Sequence, residues 1–126
     1  MPVLADFTVI TSSTKVVDEQ PRKWTFNTGG RQPGGKGLLM LETNGVPPGA
    51  LVASVRLNGQ ELGKIETRTS EGFITRLFTF DGSVLKDGDN ELQIDPAMRI
   101  SPPPTSGDLT AGFTVRHIVC FFNQAA

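Results

Sequence analysis

An all-β chain folded as an antiparallel sandwich or barrel is what this sequence predicts, and three observations predict it. Gly and Pro, at 14 and 9 of 126 residues, recur too often for long helices, because Gly costs about 1 kcal/mol and Pro about 3 in a helix interior. Between them lie short runs of strand length: 22–28, 38–44, 50–58, 64–71, 73–81 and 89–95. Within those runs apolar and polar residues alternate, as they do where one sheet face is wet.

Taken in order, the expected strands are 3–11, a possible short one at 14–17, then 22–28, 37–44, 50–58, 61–68, 73–80, 90–94 and 112–122. The first stretch is rich in Thr, Val and Ser and carries no helical stripe. In 22–28, Trp24 and Phe26 share one face and Lys23, Thr25 and Asn27 the other. Ahead of 37–44, Gly30-Arg31-Gln32-Pro33-Gly34-Gly35-Lys36 spells the G-x-x-x-x-G-K of a phosphate cradle. Gly37 stands where Ser or Thr would hold magnesium, and a short strand follows where a helix is required. A glycine-rich loop is the better reading. In 50–58, Ala53, Val55 and Leu57 oppose Ser54 and Arg56, and Asn58-Gly59 suits a type I′ hairpin turn with two positive φ angles.

Further along, Phe78 and Phe80 sit two apart on one strand face, and Lys86-Asp87-Gly88-Asp89-Asn90 reads as a polar turn. The stretch from Asp95 to Ala111 contains Pro96 and Pro102-Pro103-Pro104. Consecutive prolines favour polyproline II and donate no ladder hydrogen bond, so a surface loop or lid is expected. In the last strand Phe113, Val115, Val119 and Phe121 fall on one face by strict alternation, and Ile118, Cys120 and Phe122 on the other. A strand apolar on both sides is either central in a covered sheet or part of a subunit contact.

Length and charge bound the rest. At 126 residues the chain is expected to form one domain spanning 1–126. A formal net charge of -1 removes any general electrostatic case for binding nucleic acid or a membrane surface. One cysteine and one histidine exclude an intrachain disulfide and the familiar Cys/His zinc sites. The start, Met1-Pro2-Val3-Leu4-Ala5-Asp6, lacks a basic segment followed by an apolar run, so a cytoplasmic location is expected, a mature secreted form being the alternative.

Two motifs carry a family resemblance. Leu51-Val52-Ala53-Ser54-Val55-Arg56-Leu57-Asn58-Gly59-Gln60-Glu61-Leu62-Gly63 has a recurring strand–turn–strand pattern, V-x-V-x-x-N-G-x-x-x-G. Val84-Leu85-Lys86-Asp87-Gly88-Asp89-Asn90-Glu91-Leu92-Gln93-Ile94 is similar to the L-x-x-G-x-N-x-L-x-I that follows it. Together they resemble the galactose-binding-domain-like jelly roll, over residues 37–94 and the final strand. That family includes carbohydrate-binding modules, the non-catalytic sandwich of rhamnogalacturonan lyases and accessory sandwiches of glycosidases. The resemblance implies a jelly-roll sandwich of about eight strands, a non-catalytic module that binds carbohydrate weakly, and in many members a structural calcium. The matching residues are turn glycines and core leucines, so they speak for fold before ligand.

The candidate chemistry is sparse. His117 reads as a packed or interface histidine and Cys120 as a buried thiol. Three residues apart in one strand, they point to opposite faces and form no catalytic pair. Asp87, Asp89 and Asn90 offer oxygens to calcium, but Ca²⁺ takes six to eight and the turn already accounts for them; no metal or other cofactor is expected. Glu42, Glu61, Glu66, Glu71 and Glu91 look solvated, and none is spaced as a glycosidase carboxyl pair. With no tyrosine and one tryptophan, few rings are on hand, and most of the eight phenylalanines are expected in the core. Trp24 is the one ring weighed as a sugar platform against a core role. A polar alternative places Arg56, Glu66, Arg68 and Arg76 on neighbouring strands as a patch for acidic glycans, since arginine grips carboxylates bidentately; the competing reading is a cross-strand ion-pair lattice. A second function class is assembly, with a second copy or another protein contacting Met98, Ile100, Pro103 and Phe122.

Overall fold

The computed structural model describes residues 3–17, 20–32, 34–44, 51–66, 72–99 and 113–125. Among these residues ten strands run in the order β1 (Val3–Thr11), β2 (Lys15–Val17), β3 (Arg22–Asn27), β4 (Lys36–Asn44), β5 (Leu51–Leu57), β6 (Gln60–Glu66), β7 (Ile74–Asp81), β8 (Asp89–Ile94), β9 (Met98–Arg99) and β10 (Phe113–Ala125). A single 3-10 turn, Gly82–Val84, joins β7 to β8. The helix-poor, antiparallel expectation is met, and every expected strand is present within one to three residues. The short β9 lies inside the stretch expected to be irregular from Asp95 onward, and pairs Met98 with Val52.

The strands form two antiparallel sheets. In the first, the order is β1-β10-β4-β7, with β2 continuing the line of β1 along β10. In the second it is β3-β8-β5-β6, with β9 continuing the line of β8 along β5. Val17, Leu39, Leu41, Val115, Ile118 and Cys120 from the first sheet meet Ala53, Val55, Leu57, Ile65, Leu92 and Ile94 from the second, all without solvent exposure. Burial of this kind contributes about 25 cal/mol per Å² of apolar surface. Trp24 is half-buried against this core, in phase with the buried Phe26, as the core reading requires.

Two strand glycines lie under phenylalanine rings, Gly37 beside its cross-strand partner in the first sheet and Gly63 across the gap between the sheets. A Cβ at Gly37 would overlap the Phe80 ring, and one at Gly63 would fall 2.9 Å from the Phe78 ring. A lone glycine in a strand marks such an approach. The turn after β5 is type I′, with Asn58 at φ 52° and Gly59 at φ 82°. The Asn58 side chain donates to Val84 O at 2.9 Å and to Asn90 Oδ1 at 2.8 Å, so the hairpin is fastened to the β7–β8 connection.

The last strand departs from strict alternation. Its pairing with β4 slips between Arg116 and Val119, and His117 sits at φ 52° in a bulge. The extra residue reverses the faces beyond it. Phe113 and Val115 point inward, and then Ile118, Cys120 and Phe122 do, while Val119 and Phe121 turn outward. His117 is therefore exposed and not packed. Phe122, expected at an interface, is a core residue with 7% of its surface accessible. Of the rings, Phe26, Phe80, Phe113 and Phe122 are buried and Trp24 and Phe78 pack against the core, while Phe7 at 59% and Phe121 at 37% stand exposed.

Candidate binding site

The described strand ends place several loops together. The β3–β4 connection, the Asn58–Gly59 turn, the β7–β8 connection and the far end of β10 share one end of the sandwich. Buried Asn90 organises it. Its amide nitrogen donates to Thr28 Oγ1 at 2.7 Å and to Gly88 O at 3.0 Å, and its oxygen accepts from Lys86 N at 2.7 Å. Asp87 accepts from Gly30 N at 2.8 Å and Asp89 from Asn27 Nδ2 at 3.1 Å. The carboxylates and amide singled out as calcium oxygens thus hold the loops, as the turn reading has it. No group of three or more metal-ligating side chains occurs among the described residues.

Beside this scaffold, at the corner where edge strands β6 and β7 meet, lies a polar cleft of about 250 Å³. Lys36, at the start of β4, pairs with Asp81, at the end of β7, at 2.5 Å. Gln60 and Glu61 enter from the start of β6, Thr79 from β7, and Leu62, Phe80 and Val84 supply the apolar part. A register shift in β6 sets this wall: Val55 pairs with Gly63 and Arg56 with Glu61, leaving Leu62 as the extra residue. The cleft thus offers one ammonium, two carboxylates, an amide and a hydroxyl around a small apolar floor. Such a mixture matches the hydroxyls and C–H faces of a sugar unit. Its lining holds neither histidine nor cysteine.

The residues singled out from the sequence are dispersed. Arg56 faces outward on the second sheet, its Nε donating to Asp95 Oδ2 at 3.3 Å. Gln93 holds the other Asp95 oxygen at 2.7 Å, and Lys23 pairs with Glu91 at 3.8 Å. Ion pairs therefore lie along this face around Arg56 and Lys23. Arg76 is on the other sheet, because β6 and β7 cross between sheets and do not pair. It donates to Thr43 Oγ1 at 3.1 Å and to Glu66 O at 2.8 Å, clasping the two sheet edges. The expected patch of Arg56, Glu66, Arg68 and Arg76 on one face is therefore not assembled; Arg68 lies outside the described residues. So do Ile100 and Pro103, while Met98 opens β9. Cys120 is buried, and desolvation pushes its thiol up to about 12 from an ordinary 9.0.

The cleft residues were missed because each was explained locally: Lys36 by the loop motif, Glu61 as a solvated strand position. The signal that marked them was the pair of strand glycines, Gly37 and Gly63, beside the cleft.

No protein-family model matches the chain, and no curated protein matches it. Solved structures do. The chain is similar to BpGH86A, a β-porphyranase of glycoside hydrolase family 86 from the human gut bacterium Bacteroides plebeius, with 18% identity and a TM-score of 0.63 over 97% of this chain and 21% of that one. It is similar to BuGH86, solved in complex with neoagarooctaose, with 12% identity and a TM-score of 0.63 over 97% of this chain and 19% of that one. It also matches a family 35 carbohydrate-binding module from an environmental isolate, with 12% identity and a TM-score of 0.55 over 100% of this chain and 98% of the module. The chain spans about a fifth of the length of the two hydrolases and nearly all of the module. At these identities the likeness concerns the fold alone, an antiparallel β-sandwich of two sheets.

Proposed function

We propose that this chain is a non-catalytic carbohydrate-binding module whose sugar site is the cleft between Lys36, Gln60, Glu61 and Asp81. The observation that carries the reading is an end-to-end match to a carbohydrate-binding module, in a chain whose sheet corner holds a sugar-sized polar cleft. Two carboxylates against one ammonium favour a neutral sugar over a sulfated or uronic one. A millimolar Kd, the weak binding expected of so open a cleft, requires only about 4 kcal/mol.

The test is retardation in native gels cast with soluble polysaccharides, backed by NMR titration with oligosaccharides. Agar-derived oligosaccharides come first, because one similar structure was solved with neoagarooctaose. Binding is expected to weaken about tenfold in Glu61→Gln and Asp81→Asn, equivalent to about 1.4 kcal/mol, and to be unchanged in Arg56→Ala. Shifts confined to residues away from β6 and β7, or no retardation with any polysaccharide, would reject the site or the function respectively.

A further inference from the structure

The outer face of the first sheet is apolar to a degree that solvent does not explain. Cross-strand pairing lays two rows across it: Phe7–Phe121–Leu38–Thr79, and beside it Val9–Val119–Met40–Leu77. Phe7, Val9 and Leu77 are 59%, 52% and 60% exposed. Edge strand β1 is inverted relative to an ordinary one. Asp6 and Thr8 pair with the inward residues Phe122 and Cys120, while Phe7 and Val9 face out. No ionised side chain stands in either row. Ion pairs close both ends of the face, Lys36–Asp81 at one and Arg116–Glu42, at 3.3 Å, at the other. The Arg116 guanidinium also lies 3.6 Å from the centre of the Phe73 ring.

We infer that this face is the contact between two copies of the chain, related by a two-fold axis lying in the interface across the strands and between the two rows. Shape supports it. Such an axis sets Phe7 against the second copy's Val9, Phe121 against its Val119 and Leu77 against its Thr79, so a large residue meets a smaller one on three of the four strands, while Leu38 meets Met40 on the fourth. Charge supports it as well: each neutral end meets the opposite neutral end, and no like charges are forced together. The area suffices for a modest dimer. Four strands about 4.8 Å apart and about six residues long, at a rise of about 3.3 Å per residue, make a platform on the order of 400 Å² in projection, the closing ion pairs included. Side-chain relief and the rim carry this to roughly 600 Å² of accessible surface per partner, where the smaller specific interfaces begin. Two sheets packed face to face repeat the geometry already inside each sandwich.

Sedimentation velocity from about 1 to about 200 µM tests the inference. The expected result is a concentration-dependent rise from 13.6 kDa toward twice that mass. Phe7→Glu and Leu77→Glu, both at exposed positions, should abolish the rise with an unchanged far-ultraviolet spectrum. Lys64→Glu, on the second sheet, should leave it intact. A wild-type mass that stays monomeric throughout overturns the inference. So does a dimer that survives both face substitutions, which would place the contact elsewhere. If the chain stays monomeric and Phe7→Glu instead abolishes polysaccharide retardation, the face is a sugar platform and the dimer is likewise rejected.

Discussion

Asn90 is the residue whose loss should cost most for its size. Its amide serves Thr28, Gly88, Lys86 and Asn58 in a buried setting, so Asn90→Leu leaves several polar groups without partners. Each such group costs about 1–3 kcal/mol, and urea denaturation should show at least about 3 kcal/mol lost. Cys120 gives a second expectation at this scale. Its folded value is raised from 9.0 to about 12, so the thiol stays protonated where an unfolded chain would ionise. The stability it contributes is complete below pH 9.0 and is lost as pH climbs toward about 12. Native protein below pH 9.0 should resist iodoacetamide, and denatured protein should react. Early alkylation of the native form would place the thiol outside the core.

At the scale of the element, β10 carries the decisive irregularity. Strict alternation assigned Val119 and Phe121 to the face of Phe113 and Val115, and one bulged residue at His117 moved them to the other. A non-glycine residue at φ 52° carries about 1–2 kcal/mol of strain and persists only where the surrounding fold holds it there. His117→Gly should therefore be more stable than His117→Val by about 1–2 kcal/mol in the same urea assay. Equal stabilities would mean that the strand slips to remove the bulge. Strand β4 offers a parallel case. Gly37→Ala puts a methyl group into the Phe80 ring, and overpacking of that sort costs about 1–3 kcal/mol. Because Phe80 also floors the cleft, sugar binding should fall along with stability.

For the molecule as a whole, the two sheets have unlike exteriors. Arg56, Asp95, Lys23 and Glu91 knit the second into a polar lattice, while the first presents Phe7, Val9, Leu77 and Phe121. On the proposed readings the sugar lies in the corner cleft and the second copy against the apolar face, with Thr79 at the border of the two. Pairing two weak sites raises apparent affinity for a multivalent polysaccharide by 10²-fold or more, about, when both engage. Wild-type retention on such a polymer should accordingly exceed that of Leu77→Glu, while both bind a short oligosaccharide equally. Equal retention on the polymer would separate dimerisation from function.

Turn and strand chemistry was legible from residues alone, because it is local. Asn58-Gly59 specifies its own turn, Trp24 and Phe26 declare their inward face, and the spacing of Gly and Pro delimits nearly every strand. The face of the last half of β10 was not legible, since a bulge is enforced by neighbours: β1 and β4 both slip register against it near Ile118 and Val119. Nor was the partition of β6 and β7 between sheets, which dissolved the arginine patch and created the cleft. Those outcomes depend on which strands pair across long loops. Pairing is decided by the joint burial of residues far apart in sequence, so packing of the whole chain, and no single segment, selected them.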